Sequence, residues 1–227
     1  MAFLCLSFSR SLALCPGGFS PNFADIAFAI ENTNATTSRG FTAAVSTIQA
    51  VRAYYGRYVS PSKLRFAITS FGSDVCSIVN PCSGFLDQPT FVASKLNSLV
   101  YNSSQTSANV DNLLTNYVFS SLFNQRRNAK AILVILTSTG SNSIFSNTIA
   151  IPQSWPLQIY VINIMGSQTI TPLAAQLSSN LMTNQLLSSA WAEYPTLSAA
   201  FADALLCPGL FNLSFADEIK QDLIIYL

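Results

Sequence analysis

Along this chain, short apolar runs are separated by amphipathic stretches. The run that sets the pattern lies in Phe23-Ala-Asp-Ile-Ala-Phe-Ala-Ile-Glu-Asn-Thr-Asn-Ala-Thr36, where apolar residues 26–30 meet the polar cluster Glu31-Asn-Thr-Asn34. A short, nearly continuous apolar run marks a strand buried on both faces, as in parallel α/β sheets. Polar residues at the carboxyl end of such a strand stand where open α/β sheets bind ligands. A small-ion or ligand site is therefore expected first at that strand end.

Downstream, Phe41, Ala44, Val45, Ile48, Val51 and Tyr55 recur at spacings of three and four and predict a helix with one buried stripe, capped by Thr36 or Thr37. Ser60-Pro-Ser62 breaks the chain. Lys63-Leu-Arg-Phe-Ala-Ile-Thr-Ser-Phe71 predicts a second strand, with a turn at Gly72-Ser-Asp74. Residues 75–79 read as a short strand turning back as a hairpin, and 90–99 as a short amphipathic helix. A polar loop follows at 102–109. A second long helix is expected over 110–123, with Leu113, Leu114, Tyr117, Val118 and Leu122 inside.

Gln125-Arg-Arg-Asn-Ala-Lys130 is a basic elbow, read as a solvated helix end favoured by the helix dipole rather than as a phosphate site. Residues 131–136 form the most hydrophobic strand, which ends in Thr137-Ser-Thr-Gly140, and 157–164 a further one. Beyond them come a short helix at 171–179, an edge strand at Leu186-Leu187, and a helix from Ala192 or Tyr194 to Leu206. Ser214-Phe-Ala-Asp217 opens a C-terminal helix with a capping-box pattern. Its stripe of Ile219, Leu223, Ile224 and Leu227 can dock on the domain or on a neighbouring subunit. Strands alternate with helices throughout, which means a parallel, doubly wound sheet.

Composition narrows the function. Charged residues make up 9% of the 227, against a usual roughly 25%, and the net charge is +1 with no basic run. A nucleic-acid footprint is not supported by this balance, and a surface rich in Ser, Thr, Asn and Gln is expected. Histidine is absent, which rules out Ser-His-Asp and Cys-His catalysis and His-based zinc sites. No Gly-rich phosphate loop occurs, and the acids Asp74, Asp87 and Asp111 are isolated in sequence. The reading is non-catalytic.

The five cysteines are Cys5, Cys15, Cys76, Cys82 and Cys207, with no C-x-x-C pair. Cys76 and Cys82 flank Asn80-Pro81 and suit a local loop staple. Glycosylation sequons stand at Asn34, Asn102 and Asn212, and with the cysteines they lean toward secretion. Residues 1–15 resemble a signal peptide without its basic start and interrupted by Arg10. The alternative is a segment packed on the domain or continuous with an upstream module. No run approaches the roughly 20 apolar residues of a membrane span.

The segments Asp25-Ile-Ala-Phe-Ala-Ile-Glu31, Lys63-Leu-Arg-Phe-Ala-Ile-Thr-Ser-Phe71, Ala131-Ile-Leu-Val-Ile-Leu-Thr137 and Tyr160-Val-Ile-Asn-Ile164 give the chain its resemblance to a von Willebrand factor type A domain over residues 23–207. Residues 1–22 then form an N-terminal segment or weak signal peptide, and 208–227 a helical extension. The resemblance implies an α/β fold with a doubly wound, mostly parallel six-stranded sheet, one short antiparallel edge strand, and helices on both faces. It also implies that Cys15 and Cys207 form the terminal disulfide of many extracellular members, which would add about 4–5 kcal/mol in the chain-entropy model.

The family's metal site uses a D-x-S-x-S run, a loop threonine and a later aspartate to bind Mg2+. Glu31, Thr33 and Ala35 fall on the first run, Thr106 on the loop threonine and Ser138 on the aspartate. Ala35 offers no oxygen and Ser138 no charge, whereas Thr33 and Thr106 keep competent hydroxyls. The expectation is a non-catalytic extracellular interaction or assembly module, of adhesion or matrix type, without a cofactor. Its partners would be proteins, itself among them in a homo-oligomer or fibre. The alternative is an adhesion domain that binds a partner carboxylate through Mg2+, or another divalent cation, at the variant Glu31, Thr33, Thr106 and Ser138 site.

Overall fold

The computed structural model describes residues 24–56, 59–121, 123–126, 129–138, 143–144, 157–163 and 183–186. Five strands form one sheet: β1 (Ala24–Glu31), β2 (Leu64–Phe71), β4 (Lys130–Thr137), β6 (Leu157–Asn163) and β7 (Thr183–Leu186). Their order is β2-β1-β4-β6-β7, and every pairing is parallel. A separate parallel pair joins β3 (Ala108–Asn109) to β5 (Ser143–Ile144). The helices are α1 (Thr37–Tyr55), α2 (Pro89–Asn97) and α3 (Val110–Leu113), the last running straight into a π-helical stretch at Leu114–Val118.

The central strands read as apolar runs because they are covered twice. All eight residues of β1 are buried. Side chains alternate across a strand, so Ile26, Phe28 and Ile30 meet Phe41, Ala44, Ile48 and Val51 of α1 and Val92 and Leu96 of α2. On the opposite face, Ala27, Ala29, Leu133 and Ile135 meet Val110, Leu113, Leu114 and Tyr117. The small β1 alanines leave room there for the bulk that α3 and the π-helical stretch supply. Each fully buried Ile, Leu or Phe contributes about 1.5–3 kcal/mol.

Several details differ from the sequence reading. Residues 75–79 are not a strand; a single antiparallel bridge pairs Phe71 with Val75 before the chain turns. Among the described residues, a second antiparallel bridge on β2 joins Phe66 and Leu86. There Leu86 N donates to Phe66 O at 2.6 Å and Phe66 N to Leu86 O at 3.0 Å. Two residues along β2, the Ser83 hydroxyl accepts from Ile68 N at 2.9 Å and donates to Ile68 O at 3.1 Å, so a side chain substitutes for a neighbouring strand. The expected long helix over 110–123 is α-helical for one turn only, and its π-helical continuation ends at Val118. Thr36 stands at the N-cap position of α1 but makes no side-chain cap bond, its hydroxyl lying 3.3 Å from Ser138 Oγ, whereas Thr37 Oγ1 accepts from Gly40 N at 3.3 Å.

The basic elbow is not a solvated helix end. Arg126 returns to the start of β1 and, with Arg65, grips the fully buried Asp25. Arg65 Nε and Nη2 donate to the two carboxylate oxygens at 2.8 and 2.6 Å, and Arg126 adds its backbone N–H at 2.7 Å and Nε at 3.0 Å. Arg126 also bonds the carbonyls of Ala24, Pro61 and Lys63. A carboxylate buried this deeply is tolerable only when paired and hydrogen-bonded on both oxygens.

The N-terminal stretch with Cys5 and Cys15 lies outside the described residues. So do the expected helices at 171–179 and 192–206, the C-terminal helix, Cys207 and Asn212. No helix among the described residues is long and apolar enough to cross a membrane.

Candidate functional site

At the opposite end of β1 from Asp25, the strand finishes in three buried polar residues, Glu31, Asn32 and Thr33. Glu31 ends beside β4, one residue past the paired Ile30 and Leu136. Its Oε1 accepts from Thr33 Oγ1 at 2.6 Å, while Oε2 accepts from Thr137 Oγ1 at 2.5 Å and from Ser138 N at 2.7 Å. All three donors are neutral. Two neighbouring strand ends are thereby tied by one carboxylate.

Asn32 performs a second tie. Its Oδ1 accepts from Asn102 N at 2.7 Å and its Nδ2 donates to Val100 O at 2.9 Å. Tyr101 Oη reaches Thr33 O at 3.2 Å, and Asn34 N donates to Gln105 O at 2.8 Å. Residues 100–105 are in this way laced across the strand end. Gly72 lies beneath them: a Cβ there would meet the Gln105 amide oxygen at 1.8 Å and Asn32 O at 3.1 Å.

A third loop joins through Asn80, which is 2% exposed. Asn80 Nδ2 donates to Val100 O at 2.7 Å, and Val100 N donates to Asn80 Oδ1 at 2.8 Å. Asn80 belongs to the loop that the Cys76–Cys82 disulfide closes, the staple expected from the spacing. Cys82 Sγ also lies 2.9 Å from Thr69 Oγ1. Among the described residues, the two non-glycine residues at positive φ, Thr37 at 60° and Cys76 at 57°, lie at the start of α1 and at the start of the disulfide-closed loop. Such left-handed backbone is costly for a β-branched residue and concentrates where surroundings over-determine it.

The expected site residues are therefore partly gathered. Glu31, Thr33 and Ser138 meet in one cluster, whereas Thr106 is exposed and outside the hydrogen-bond network on Glu31. Sequence reasoning missed Asn32, Asn80, Tyr101 and Thr137, which do much of the tying. These residues suit Mg2+ poorly. A single carboxylate is present, both its oxygens already accept short hydrogen bonds, Ala35 supplies no oxygen and Ser138 no charge. Mg2+ demands near-ideal octahedral oxygen geometry at about 2.0–2.1 Å. Among the described residues no group of three His, Cys, Asp or Glu is placed to hold a metal.

The fold and this strand-end face place the chain in a known class. It belongs to the von Willebrand factor type A domain family, whose sequence model matches residues 25–192. Among solved structures, it is similar to proximal thread matrix protein 1 of the mussel byssus, with a TM-score of 0.62 and 13% identity, over 83% of this chain and 47% of that one. The chain thus spans about half the length of the mussel protein. A form of that protein with a zinc-occupied MIDAS motif matches with a TM-score of 0.54 and 13% identity, over 80% of this chain and 48% of that one. The SpRpn10 VWA domain matches at 0.51 and 12% identity, over 78% of this chain and 93% of its own. At these identities the likeness is one of fold. Curated protein sequences gave no significant match.

Proposed function

We propose that the chain is a non-catalytic extracellular module for protein–protein interaction or structural assembly, of adhesion or matrix type, that works without the Mg2+ its family commonly uses. The observation that carries this reading is that both carboxylate oxygens of Glu31 already accept hydrogen bonds, from Thr33, Thr137 and Ser138. Hydrogen bonds hold together the loops that a metal would otherwise organise. The similar mussel protein is a thread matrix protein, and the Cys76–Cys82 bond suits an oxidising compartment. Secretion, glycans on Asn34, Asn102 and Asn212, a Cys15–Cys207 bond and association with further copies of the chain belong to the same proposal.

The zinc-occupied form of the mussel protein favours a second reading, in which the variant site of Glu31, Thr33, Thr106 and Ser138 holds a divalent ion that a partner carboxylate completes. One experiment separates the two: thermal unfolding of the full chain in EDTA, then with Mg2+, Mn2+ or Zn2+. An ion at 100 times its Kd adds about 2.7 kcal/mol to the folded state. The proposal expects no shift. A shift that Glu31→Ala abolishes would replace it with the metal-dependent reading.

A further inference from the structure

Asn102-Ser-Ser104 is one of the three glycosylation sequons, and it lies on the loop laced across the carboxyl end of β1. Such a sequon marks an acceptor when it stands on a surface loop of a secreted protein. Here Ser103 and Ser104 are exposed and Asn102 is half-buried. The Asn102 backbone is fixed from below, its N–H donating to Asn32 Oδ1 at 2.7 Å. Its side-chain oxygen accepts from Ser104 N at 3.0 Å and from Ser104 Oγ at 2.6 Å. Its amide nitrogen makes no hydrogen bond among the described residues and is open to solvent.

That arrangement uses the side-chain oxygen and leaves the nitrogen free, which is the division N-glycosylation requires. Asn102 Nδ2 attacks the anomeric carbon of an N-acetylglucosamine carried on a lipid diphosphate. The new C–N bond forms as the C–O bond to the diphosphate breaks. The diphosphate leaves with the electron pair, and one amide proton passes to a base of the transferase. The product keeps its carbonyl and one N–H. Both bonds from Ser104 and the backbone bond to Asn32 therefore survive the modification. Asn34 is also exposed, but the hydroxyl of its sequon belongs to Thr36, which is fully buried 3.3 Å from Ser138 Oγ. Of the two described sequons, only Asn102-Ser-Ser104 shows both its amide and its hydroxyl at the surface of the folded chain.

We infer that Asn102 carries an N-linked oligosaccharide that stands over the strand-end face, so that protein partners are met on other faces of the domain. The inference rests on the reading of the chain as secreted, and adds what becomes of this face. The stem of the sugar is tied to Asn32, the residue after Glu31, and the neighbouring Tyr101 Oη bonds Thr33 O at 3.2 Å. A bulky, hydrated oligosaccharide rooted there obstructs a partner carboxylate approaching Glu31 and Thr33.

The test expresses the full chain behind an added secretion signal in a eukaryotic host, so that glycan transfer is read apart from the chain's own export. Peptide N-glycosidase in heavy-oxygen water, followed by mass mapping, marks each Asn that carried a glycan. Asn102 is expected to become labelled Asp, Ser104→Ala to lose the mark, and Ser104→Thr to keep it. An unmarked Asn102 in exported, folded protein would overturn the inference and leave the secreted reading standing. Native protein recovered from the cytosol of its source tissue would overturn the secreted reading, and with it the native glycan. Thr106→Cys, exposed on the same loop, reads the cover. Its reaction with a bulky polymer maleimide is expected to run several-fold slower on the glycosylated chain than after an endoglycosidase trims the glycan to a single sugar. Equal rates would overturn the cover.

Discussion

Ser138 donates its backbone N–H to Glu31 Oε2 at 2.7 Å, across 107 positions of sequence. The bond ties the carboxyl ends of adjacent strands, and the Thr137 hydroxyl reinforces it at 2.5 Å on the same oxygen. Glu31→Gln replaces one acceptor oxygen with a donor facing donors, so it should destabilise the fold by about 1–3 kcal/mol, and Glu31→Ala by more. Urea unfolding measures both. Unchanged stability in Glu31→Gln would mean that the carboxylate is not a structural tie.

At the other end of β1, Asp25 should be the more sensitive carboxylate. Asp25→Ala leaves the Arg65 and Arg126 guanidinium groups without their buried counter-charge, and the expected loss is about 3–5 kcal/mol. Arg65→Lys should cost less but still destabilise, because an ammonium cannot reproduce the two parallel bonds at 2.8 and 2.6 Å. A double-mutant cycle of Asp25→Ala with Arg65→Ala should be strongly non-additive. Simple additivity would argue against the clamp.

Opening the Cys76–Cys82 bond should be felt beyond its own loop. Replacing both cysteines with serine should cost about 2 kcal/mol in the chain-entropy model, given a separation of 6 residues. Since Asn80 brackets the Val100 backbone, the Val100 amide should also exchange its hydrogen faster. Exchange confined to 76–82, with Val100 unaffected, would show that the loops are independent.

Alkaline conditions should probe Tyr117. Its phenol donates to Ser83 O at 2.9 Å, and burial pushes its pKa well above the usual value. The unfolded tyrosine titrates near pH 10. Above that pH the folded chain holds a proton the unfolded chain has lost, so this group's contribution is full below about pH 10. It is lost as pH rises through the folded value. Tyr117→Phe should cost about 0.5–1.5 kcal/mol at neutral pH and flatten the decline on the alkaline side. Parallel alkaline curves for the two proteins would refute this.

The sheet was legible in the sequence because its strands are covered on both faces, which writes uninterrupted apolar runs at β1, β4 and β6. The same rule misled at residues 75–79. Ile78 and Val79 read as strand residues, yet they are exposed on a turn whose shape the disulfide sets, and apolar character alone carries no record of that. The continuation of α3 as a π-helical stretch leaves the spacing of Leu113, Leu114, Tyr117 and Val118 unchanged, so periodicity could not report it. At the site, Glu31, Thr33 and Ser138 were reached through the resemblance to the family's metal motif. Asn32 and Asn80 were not, because their partner is the backbone of Val100, 68 and 20 residues away. Arg126 was misread for the same reason: Asp25 lies 101 positions upstream.

The Ser83 hydroxyl and the Leu86 backbone occupy hydrogen-bonding positions along the outer side of β2. An uncovered strand edge recruits strands from neighbouring molecules and grows into open-ended cross-β ribbons. With this edge partly engaged, copies of the protein can be crowded together without β2 acting as a template. The engaged positions make β2 a poor template for a strand of another molecule, so cross-β growth from this side of the sheet is disfavoured.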